Sequence, residues 1–472
     1  MEIKPGSKSH PYMPTSVPAT RDEMLETLGL EKLEDLIKVI PEALIYKGHL
    51  DIPGPLNAEA DLKQHVDGIL DKNISCSNYL SFLGAGCYRH YVPAVCDEIN
   101  SRSEFLTAYV GDTYSDHGKF QAFFEFCSMM AELLDMDVVS YPTFDGGQAV
   151  CSALRMAMRI TGKRELLLPR TMNPEILSQA VDYCGKDAVI KLVNYDSETG
   201  QLDIEDLERN ATDQTAAVFF ENPSYLGFLE EKGREIINIA HKKNALSIVY
   251  TDPISLGILE PPSSYGADLV CGDIQPLGIH MHFGGGCAGF IASRDEERII
   301  NEYPTYLIGL AETKNGRGFG WGRALNWRTS HGSREKGKEY MGTAAGLWAI
   351  TAAVYLALMG PQGMKEIGET IISRTYYAKE FLASIGGINT TSFKSLSFKE
   401  FPVNFDSTGL SVKEINTRLL EYEIFGGKDL SSEFPELGQT ALYCITEMIT
   451  ETDIKKLAEA LKSIVTRNRG KA

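Results

Sequence analysis

The sequence predicts an α/β protein built on a large, mostly parallel sheet that is covered by helices on both faces. From about residue 120 to residue 292, short apolar runs typical of strands alternate with helical patterns. Strands that alternate with helices at this pitch form parallel sheets through helical crossovers. The chain has 472 residues, of which 43% are hydrophobic and 23% are charged, so it is long enough to bury a large core.

Residues 1–75 are predicted to form an N-terminal helical arm. Residues 20–23 (Thr-Arg-Asp-Glu) have the spacing of a capping box, and apolar residues follow at helical intervals. A further helix is predicted over 57–72. Since so short an arm buries little apolar surface alone, we expect it to pack on the rest of the chain or on a partner.

Residues 76–342 are predicted to form the large α/β domain. Apolar runs such as Leu246-Ser-Ile-Val-Tyr250 are typical of strands buried on both faces of a sheet. Residues 299–342 break the alternation, because they are rich in glycine and contain few long apolar runs. Helices are predicted at 120–134, 146–160, 173–184 and 231–243, and strands at 138–141, 165–168, 188–193, 217–220, 246–250, 268–271 and 288–292.

Residues 343–472 are predicted to form a smaller α+β domain. The domain starts with a strongly apolar helix at 343–359, and short strands separate the helices that follow. Those helices are predicted near 361–385, 411–421 and 452–468.

Composition and charge exclude several functional classes. The net charge is −18 and the sequence contains no long basic run, so a nucleic-acid-binding role is not expected. We also expect no membrane span. No apolar segment follows the basic residues of the N-terminus, so a secretory signal is not expected and the predicted location is the cytoplasm.

The nine cysteines are scattered without zinc-site spacing, which favours reduced, mostly buried thiols.

Gly146 and Gly147 lie between a strand pattern and a helix pattern. A helix N-terminus offers free N–H groups to a phosphate, and glycine lets the backbone approach the anion. A tight turn without a ligand is the alternative interpretation.

Asp252 follows the very apolar strand predicted at 246–250. In open α/β sheets the ligand lies at the carboxyl ends of the strands, and a buried acid needs a cationic partner or hydrogen bonds. In enzymes that use pyridoxal phosphate, such an acid pairs with the ring nitrogen of the cofactor. The alternative is a carboxylate that caps the following turn.

The segment 81–91 contains the glycines Gly84 and Gly86 together with Cys87, Tyr88 and His90. The glycines indicate a loop that passes close to another backbone or to a ligand. No neighbouring feature of the sequence lowers the pKa of Cys87, so a packing role is favoured over a nucleophile.

His280 and His282 could chelate a metal ion from one loop, but the sequence places no third ligand beside them. The sequence therefore predicts no metal site.

The chain resembles the alpha subunit, or subunit 1, of the split P-protein of the glycine cleavage system. The resemblance runs over almost the whole chain and rests on matched motifs. These include the segments 82–93 (Phe-Leu-Gly-Ala-Gly-Cys-Tyr-Arg-His-Tyr-Val-Pro), 101–109 (Ser-Arg-Ser-Glu-Phe-Leu-Thr-Ala-Tyr), 252–257 (Asp-Pro-Ile-Ser-Leu-Gly), 275–278 (Gln-Pro-Leu-Gly) and 352–360 (Ala-Ala-Val-Tyr-Leu-Ala-Leu-Met-Gly).

The resemblance implies the aspartate-aminotransferase-like fold of pyridoxal-phosphate enzymes, known as fold type I. It implies an α2β2 assembly in which the lysine-bearing beta subunit carries pyridoxal phosphate. The holoenzyme of that family decarboxylates glycine and passes the aminomethyl group to the lipoyl arm of the H-protein. For this chain it implies a degenerate cofactor pocket at Gly146, Gly147, Asp252 and Gln275, and an interface or substrate channel at Gly84, Gly86, Cys87, Tyr88, His90 and Tyr109.

The lysine pattern agrees with a supporting subunit. A Schiff-base lysine in this fold lies a few tens of residues after the acid, yet this chain has no lysine between Lys243 and Lys314. Gln275 lies in that region, and a glutamine cannot form an imine. We therefore expect no catalytic residue and no covalently bound cofactor on this chain.

Two segments depart from the family pattern, namely 110–118 and 333–342. They leave open a second hypothesis, a catalytically inactive binding or regulatory paralogue that kept the fold. A third hypothesis is a self-sufficient pyridoxal lyase whose lysine lies elsewhere in the chain.

Overall fold

The computed structural model describes residues 12–13, 16–106, 119–285, 287–339, 341 and 345–469. The chain forms two compact units, Met1–Asn73 and Ile74–Ala472. The division into three parts at residues 75 and 342 stays a prediction.

The first unit contains the helices α1, Pro18–Leu28, and α2, Glu59–Leu70. The capping box predicted at residues 20–23 is wrong, because α1 begins at Pro18 and Thr20 lies inside it. Proline suits the start of a helix because its missing N–H has no intrahelical partner there. Leu25 is the buried residue of α1, and no residue of α2 is buried. The described helices of this unit therefore bury little apolar surface.

The second unit contains the large predicted sheet. Its strands lie between or beside helices, as the alternating pattern predicted. The strands are β1 (Leu80–Ser81), β2 (Val138–Val139), β3 (Glu165–Pro169), β4 (Val189–Val193), β5 (Thr215–Glu221), β6 (Leu246–Tyr250), β7 (Leu269–Asp273), β8 (Gly289–Ser293), β9 (Leu307–Glu312), β10 (Phe319–Ala324), β11 (Glu400–Asn404), β12 (Ile424–Phe425), β13 (Lys428–Asp429) and β14 (Thr440–Cys444).

The main sheet has the strand order β2-β8-β7-β6-β5-β3-β4. The strands from β7 through β6, β5 and β3 to β4 are parallel to their neighbours. Strand β8 runs antiparallel to β7 and to β2. The prediction of a mostly parallel sheet is confirmed. The carboxyl ends of β5, β6 and β7 meet at one edge, and that edge positions the candidate site.

Helices cover both faces of this sheet. Val249 points into a core cluster that includes residues of α4 and α11, whereas its neighbour Ile248 points into a cluster with α5. The helices are α3 (Ala94–Asn100), α4 (Phe120–Leu134), α5 (Gly146–Thr161), α6 (Pro174–Cys184), α7 (Ile204–Asn210), α8 (Gly233–Lys242), α9 (Glu297–Ile300), α10 (Ser330–Ser333), α11 (Gly346–Ala383), α12 (Val412–Leu419) and α13 (Glu451–Arg469).

Helix α11 joins two helices that the sequence predicted separately. It is interrupted at Gly360, where φ is +58°, and Pro361 follows. Among the described helices, α11 is long and apolar enough to cross a membrane. However, its residues Ala349, Ile350 and Tyr355 lie in the main core cluster, so packing inside the protein accounts for its apolar character.

The segment 299–342, for which no regular element was predicted, contains the antiparallel hairpin of β9 and β10. The strands of this hairpin were not predicted, because their glycines and partly exposed side chains show no alternation of apolar and polar residues. The C-terminal part of the unit contains a second sheet in the order β11-β14-β13. Leu80 in β1 pairs with Ile424 in β12, so the loop that follows β1 starts beside this C-terminal part.

Candidate functional site

Asp252 lies two residues after strand β6, at the carboxyl edge of the main sheet, as the sequence predicted. Its Oδ1 accepts a hydrogen bond of 3.0 Å from the Ile254 N–H. Its Oδ2 contacts the Nζ of Lys399, which comes from the C-terminal part of the chain. The position expected to face a cofactor nitrogen is therefore already paired with a cation of the same chain.

Lys399 is one of the most buried lysines of the described chain, with 2% of its surface exposed. Its Nζ lies 3.1 Å from the centre of the Tyr88 ring and 3.4 Å from the Nε2 of His90. A desolvated ammonium group over an aromatic ring is a strong cation–π contact. The Lys399 backbone is left-handed, with φ of +49°, a conformation that costs free energy in a non-glycine residue.

Three further carboxyl groups line the same cavity as this ion pair. Burial raises the pKa of Glu221, Asp273 and Glu400 to about 7 in each case. Glu221 accepts hydrogen bonds from the backbone N–H groups of Asn173 and Tyr225, at 3.1 and 2.8 Å. The site is therefore rich in acids, of which several titrate near neutral pH.

Gly146 and Gly147 lie in the first turn of α5, where a phosphate site was expected. The Gly146 N–H donates instead to Oδ2 of Asp273, at 3.1 Å, and the helix is capped by Asp145, whose Oδ1 accepts from the Gln148 N–H at 2.7 Å. A Cβ at Gly146 would lie 2.9 Å from the hydroxyl oxygen of Tyr250. Close packing therefore requires glycine here, and carboxylates occupy the helix N-terminus.

Gln275 is buried and joins the lysine-free loop to the segment 84–91. Its Oε1 accepts from the Tyr88 N–H at 2.9 Å, and its Nε2 donates to the Tyr88 carbonyl at 2.8 Å. The Nε2 also donates to the carbonyl of Ile279 at 2.9 Å. Gln275, which lies in the region where a lysine was expected, thus bonds both the N–H and the carbonyl of Tyr88.

The segment 84–91 is held on several sides. Oε1 of Glu400 accepts from the Ala85 N–H at 2.6 Å, and its Oε2 accepts from the Tyr88 hydroxyl at 2.9 Å. The Glu447 carboxylate contacts Nδ1 of His90 at 2.7 Å and the backbone N–H of the following residue at 2.6 Å. Burial raises the pKa of Glu447, but the charge and hydrogen bond of His90 outweigh it and leave that pKa below its usual range.

Four of the predicted interface or channel residues, Gly84, Cys87, Tyr88 and His90, line one groove of about 800 Å³. Its rim carries exposed apolar side chains, since Leu83, Tyr91 and Phe283 have 44%, 57% and 113% of their surface accessible. The loop 279–284 forms the other wall. A groove with an apolar rim is typical of a surface that another molecule covers.

Gly86 faces a different space. It lines the inner cavity of about 40 Å³, together with Asp252, Asp273, Lys399 and Glu400. Tyr88 borders both the cavity and the groove. Tyr109, the last predicted interface residue, lies outside the described residues.

The two histidines of the loop point to different neighbours. His280 contacts the Asp97 carboxylate at 3.0 Å, and the His282 ring lies 4.8 Å from that of Trp348. Within the described parts of the chain, no group of three or more His, Cys, Asp or Glu side chains could hold a metal ion.

Sequence reasoning missed Lys399, Glu400, Asp273 and Glu221 as site residues. The sequence did contain a signal for Lys399 and Glu400, because these two adjacent charged residues directly precede the apolar run Phe401-Pro-Val403. Charges at the start of a buried strand need partners.

A sequence model of the family described as "Glycine cleavage system P-protein" matches residues 10–461. The chain is 39% identical to the probable glycine dehydrogenase (decarboxylating) subunit 1 of Staphylothermus marinus, over 97% of this chain and 98% of the relative. It is 36% identical to the protein of the same name from Thermococcus onnurineus, over 96% and 99% of the two chains.

The solved structures that resemble this chain share its fold. A crystal structure of glycine decarboxylase (P-protein) of the glycine cleavage system, in inhibitor-bound form, has a TM-score of 0.85, with 29% identity, and covers 97% of this chain and 100% of that one. A sphingosine-1-phosphate lyase of Burkholderia pseudomallei has a TM-score of 0.64 at 12% identity and covers 91% of this chain and 95% of that one. The prediction of a fold type I architecture is confirmed.

Proposed function

The chain belongs to the glycine cleavage system P-protein family, and we propose that it is the glycine decarboxylase subunit that lacks the Schiff-base lysine. Two facts carry this proposal. The chain has no lysine between Lys243 and Lys314. The lysine that does line the inner cavity, Lys399, has its Nζ on the carboxylate of Asp252, so it occupies the side of the pocket that faces a ring nitrogen in this fold.

We propose that the pyridoxal phosphate of the holoenzyme lies on a second, lysine-bearing subunit. The residues of this chain do not fit the cofactor. Asp252 is paired with Lys399, and the Gly146 N–H is bonded to the Asp273 carboxylate, where a phosphate would meet negative charge. A cavity of about 40 Å³ has room for a few water molecules but not for a pyridine ring.

In this proposal the chain contributes surface and shape rather than a reacting group. The pair of Gln275 and Glu400 fixes the segment 84–91 from the inside, and that segment presents the groove to a partner. The partners are the second subunit in an α2β2 assembly, the lipoylated H-protein and glycine, and the location is the cytoplasm. The relatives' name, subunit 1, supports a second subunit.

The experiment compares the chain alone with the chain co-expressed with a lysine-bearing second subunit. Alone, it should give no visible aldimine band with pyridoxal phosphate, and borohydride reduction should label no lysine. Together, the two chains should catalyse glycine–bicarbonate exchange. A chain that forms a stable homodimer and ignores the second subunit would instead support the inactive binding or regulatory paralogue.

Peptide mapping after borohydride reduction tests the third hypothesis, a self-sufficient pyridoxal lyase whose lysine lies elsewhere in the chain. If this chain were a self-sufficient lyase, the labelled residue should be Lys399, because it is the lysine that lines the cavity. A pyridoxyl adduct at Lys399, lost in Lys399→Met, would overturn the proposal that the cofactor lies on the second subunit.

A further inference from the structure

Two cysteines lie close together at one wall of the groove, where Cys87 lines the groove and Cys287 is buried beside it. The Cys87 thiol donates to the carbonyl oxygen of Met281 at 3.3 Å. The Cys287 sulfur lies 3.9 Å from the same oxygen and 3.4 Å from the carbonyl oxygen of Gly285. Cys87 belongs to one wall of the groove and Met281 to the other, so the Cys87 thiol joins the two walls, and both sulfurs lie near the same carbonyl oxygen.

This pair differs from the other cysteines of the chain. All nine are free, and Cys87 is partly exposed whereas most of the others are buried. Burial raises the pKa of Cys127 and Cys184 to about 12, which makes them unreactive. The contact with Cys287 is the largest cause that lowers the pKa of Cys87, and together with smaller effects it outweighs burial and the charge of Asp273, which raise that pKa.

The contact between the two thiols has the opposite effect on the pKa of Cys287. The hydrogen bond with Cys87 is the largest cause that raises the pKa of Cys287, followed by burial. Cys87 lines the groove whereas Cys287 is buried, so a small molecule in the groove reaches the Cys87 sulfur first. An accessible thiol with a second thiol close behind it is the arrangement of an attacking and a resolving cysteine.

We propose that Cys87 and Cys287 form a redox-active pair that closes to an intrachain disulfide when a peroxide enters the groove. In the first step the Cys87 thiolate attacks one peroxide oxygen, an S–O bond forms, the O–O bond breaks, and hydroxide leaves and is protonated to water. In the second step the Cys287 sulfur attacks the Cys87 sulfenic acid, an S–S bond forms, and water leaves with the thiol proton. The two cysteines lose two electrons, and these reduce the peroxide to two waters.

Oxidation would change how the two walls are joined. A disulfide has no S–H group, so the Met281 carbonyl loses both thiol donors and keeps the 2.8 Å hydrogen bond from the Gly284 N–H. A covalent link between Cys87 and the end of the loop replaces the hydrogen-bonded contact. The modification site therefore lies at the groove that the proposed function assigns to a partner.

The test treats the native full-length chain with hydrogen peroxide, blocks the remaining thiols under denaturing conditions and counts them by mass. The wild-type protein should lose two of its nine free thiols, and a peptide map should join Cys87 to Cys287. Cys127→Ser serves as the matched control and should behave like the wild type, because Cys127 is buried away from the groove.

Two further variants separate the steps. Cys287→Ser should stop at a Cys87 sulfenic acid that dimedone traps, and Cys87→Ser should lose no thiol to the same treatment. Circular dichroism of each variant shows whether it is folded. A map that joins Cys87 to Cys76, which also lines the groove, a disulfide between two chains, or a wild-type protein that keeps all its thiols would each overturn the proposal.

Discussion

The ammonium group of Lys399 contacts the carboxylate of Asp252, and the two side chains have 3% and 10% of their surface exposed. Asp252 lies two residues after strand β6 of the main sheet, and Lys399 directly precedes strand β11 of the C-terminal sheet. A buried ion pair holds two elements in one arrangement, because either charge alone would be desolvated without compensation.

Lys399→Met should therefore destabilise the chain strongly. The substitution leaves Asp252 buried without its cation, and breaking such a pair costs roughly 3–5 kcal/mol. Asp252→Asn combined with Lys399→Met removes both charges and should recover most of that loss. Urea unfolding of the two single variants and the double variant measures the coupling between the residues.

The matched control is Lys394→Met. Lys394 also pairs with a carboxylate, that of Glu198, but both side chains are about 70% exposed, and exposed pairs contribute about 1 kcal/mol or less. If Lys399→Met were no more destabilising than Lys394→Met, the buried pair would not hold these elements together.

The parts of the fold that local patterns specify were predictable. Strand β6 and helix α4 have the predicted bounds, 246–250 and 120–134, because apolar periodicity decides both. The place of Asp252 followed from the same pattern, since an acid directly after a buried parallel strand lies at the ligand edge of the sheet.

The partners of these residues were not predictable, because they come from distant parts of the chain. The sequence placed Gln275 in the lysine region, but nothing local indicates that its amide bonds the backbone of Tyr88. Lys399 reaches Asp252 only through the packing of two sheets. The prediction of a cap at Thr20 failed for a different reason. Pro18 also suits the start of a helix, and α1 begins there.

Glu400 should make the stability of the chain depend on pH near neutrality. A glutamate titrates at about 4.3 in an unfolded chain, whereas burial raises the pKa of Glu400 to about 7 in the folded chain. The folded state thus holds an extra proton between these values. Its contribution to stability is fully present below the unfolded pKa and is lost as the pH rises through 7.

Glu400→Gln removes this titration and should flatten the fall in the free energy of unfolding between pH 5 and pH 7, by up to about 1.4 kcal/mol per pH unit. The amide oxygen can still accept from the Ala85 N–H, and the Tyr88 hydroxyl can turn to accept from the amide. Urea unfolding at several pH values measures the slope. The exposed Glu421→Gln is the control, and an unchanged slope in Glu400→Gln would contradict the assignment.

Gly84→Ala should destabilise the chain by roughly 1–3 kcal/mol, the usual cost of overpacking. A Cβ at Gly84 would lie 2.5 Å from Oε1 of Glu400 and 2.7 Å from the Cβ of Cys444, so the segment 84–91 must shift. Gly68→Ala is the control, since Gly68 lies inside helix α2 with nothing within 4 Å, and it should stabilise the helix slightly. Thermal unfolding compares the two. Equal effects would show that the segment tolerates displacement.

Phe283→Ala should weaken the assembly with the second subunit. The Phe283 side chain is fully accessible in this chain, and its backbone is left-handed, with φ of +58°, so the loop holds an apolar ring in water at a conformational cost. Such a ring gains roughly 1.5–3 kcal/mol when a partner covers it, which corresponds to about a 10- to 150-fold loss of affinity in the variant. Phe319→Ala is the matched control, because Phe319 is also an exposed aromatic residue, at 63%, but lies in the β9–β10 hairpin away from the groove. Titration of the second subunit, followed by sedimentation or by glycine–bicarbonate exchange, measures both affinities. If Phe319→Ala weakened assembly and Phe283→Ala did not, the interface would lie on the hairpin rather than on the groove.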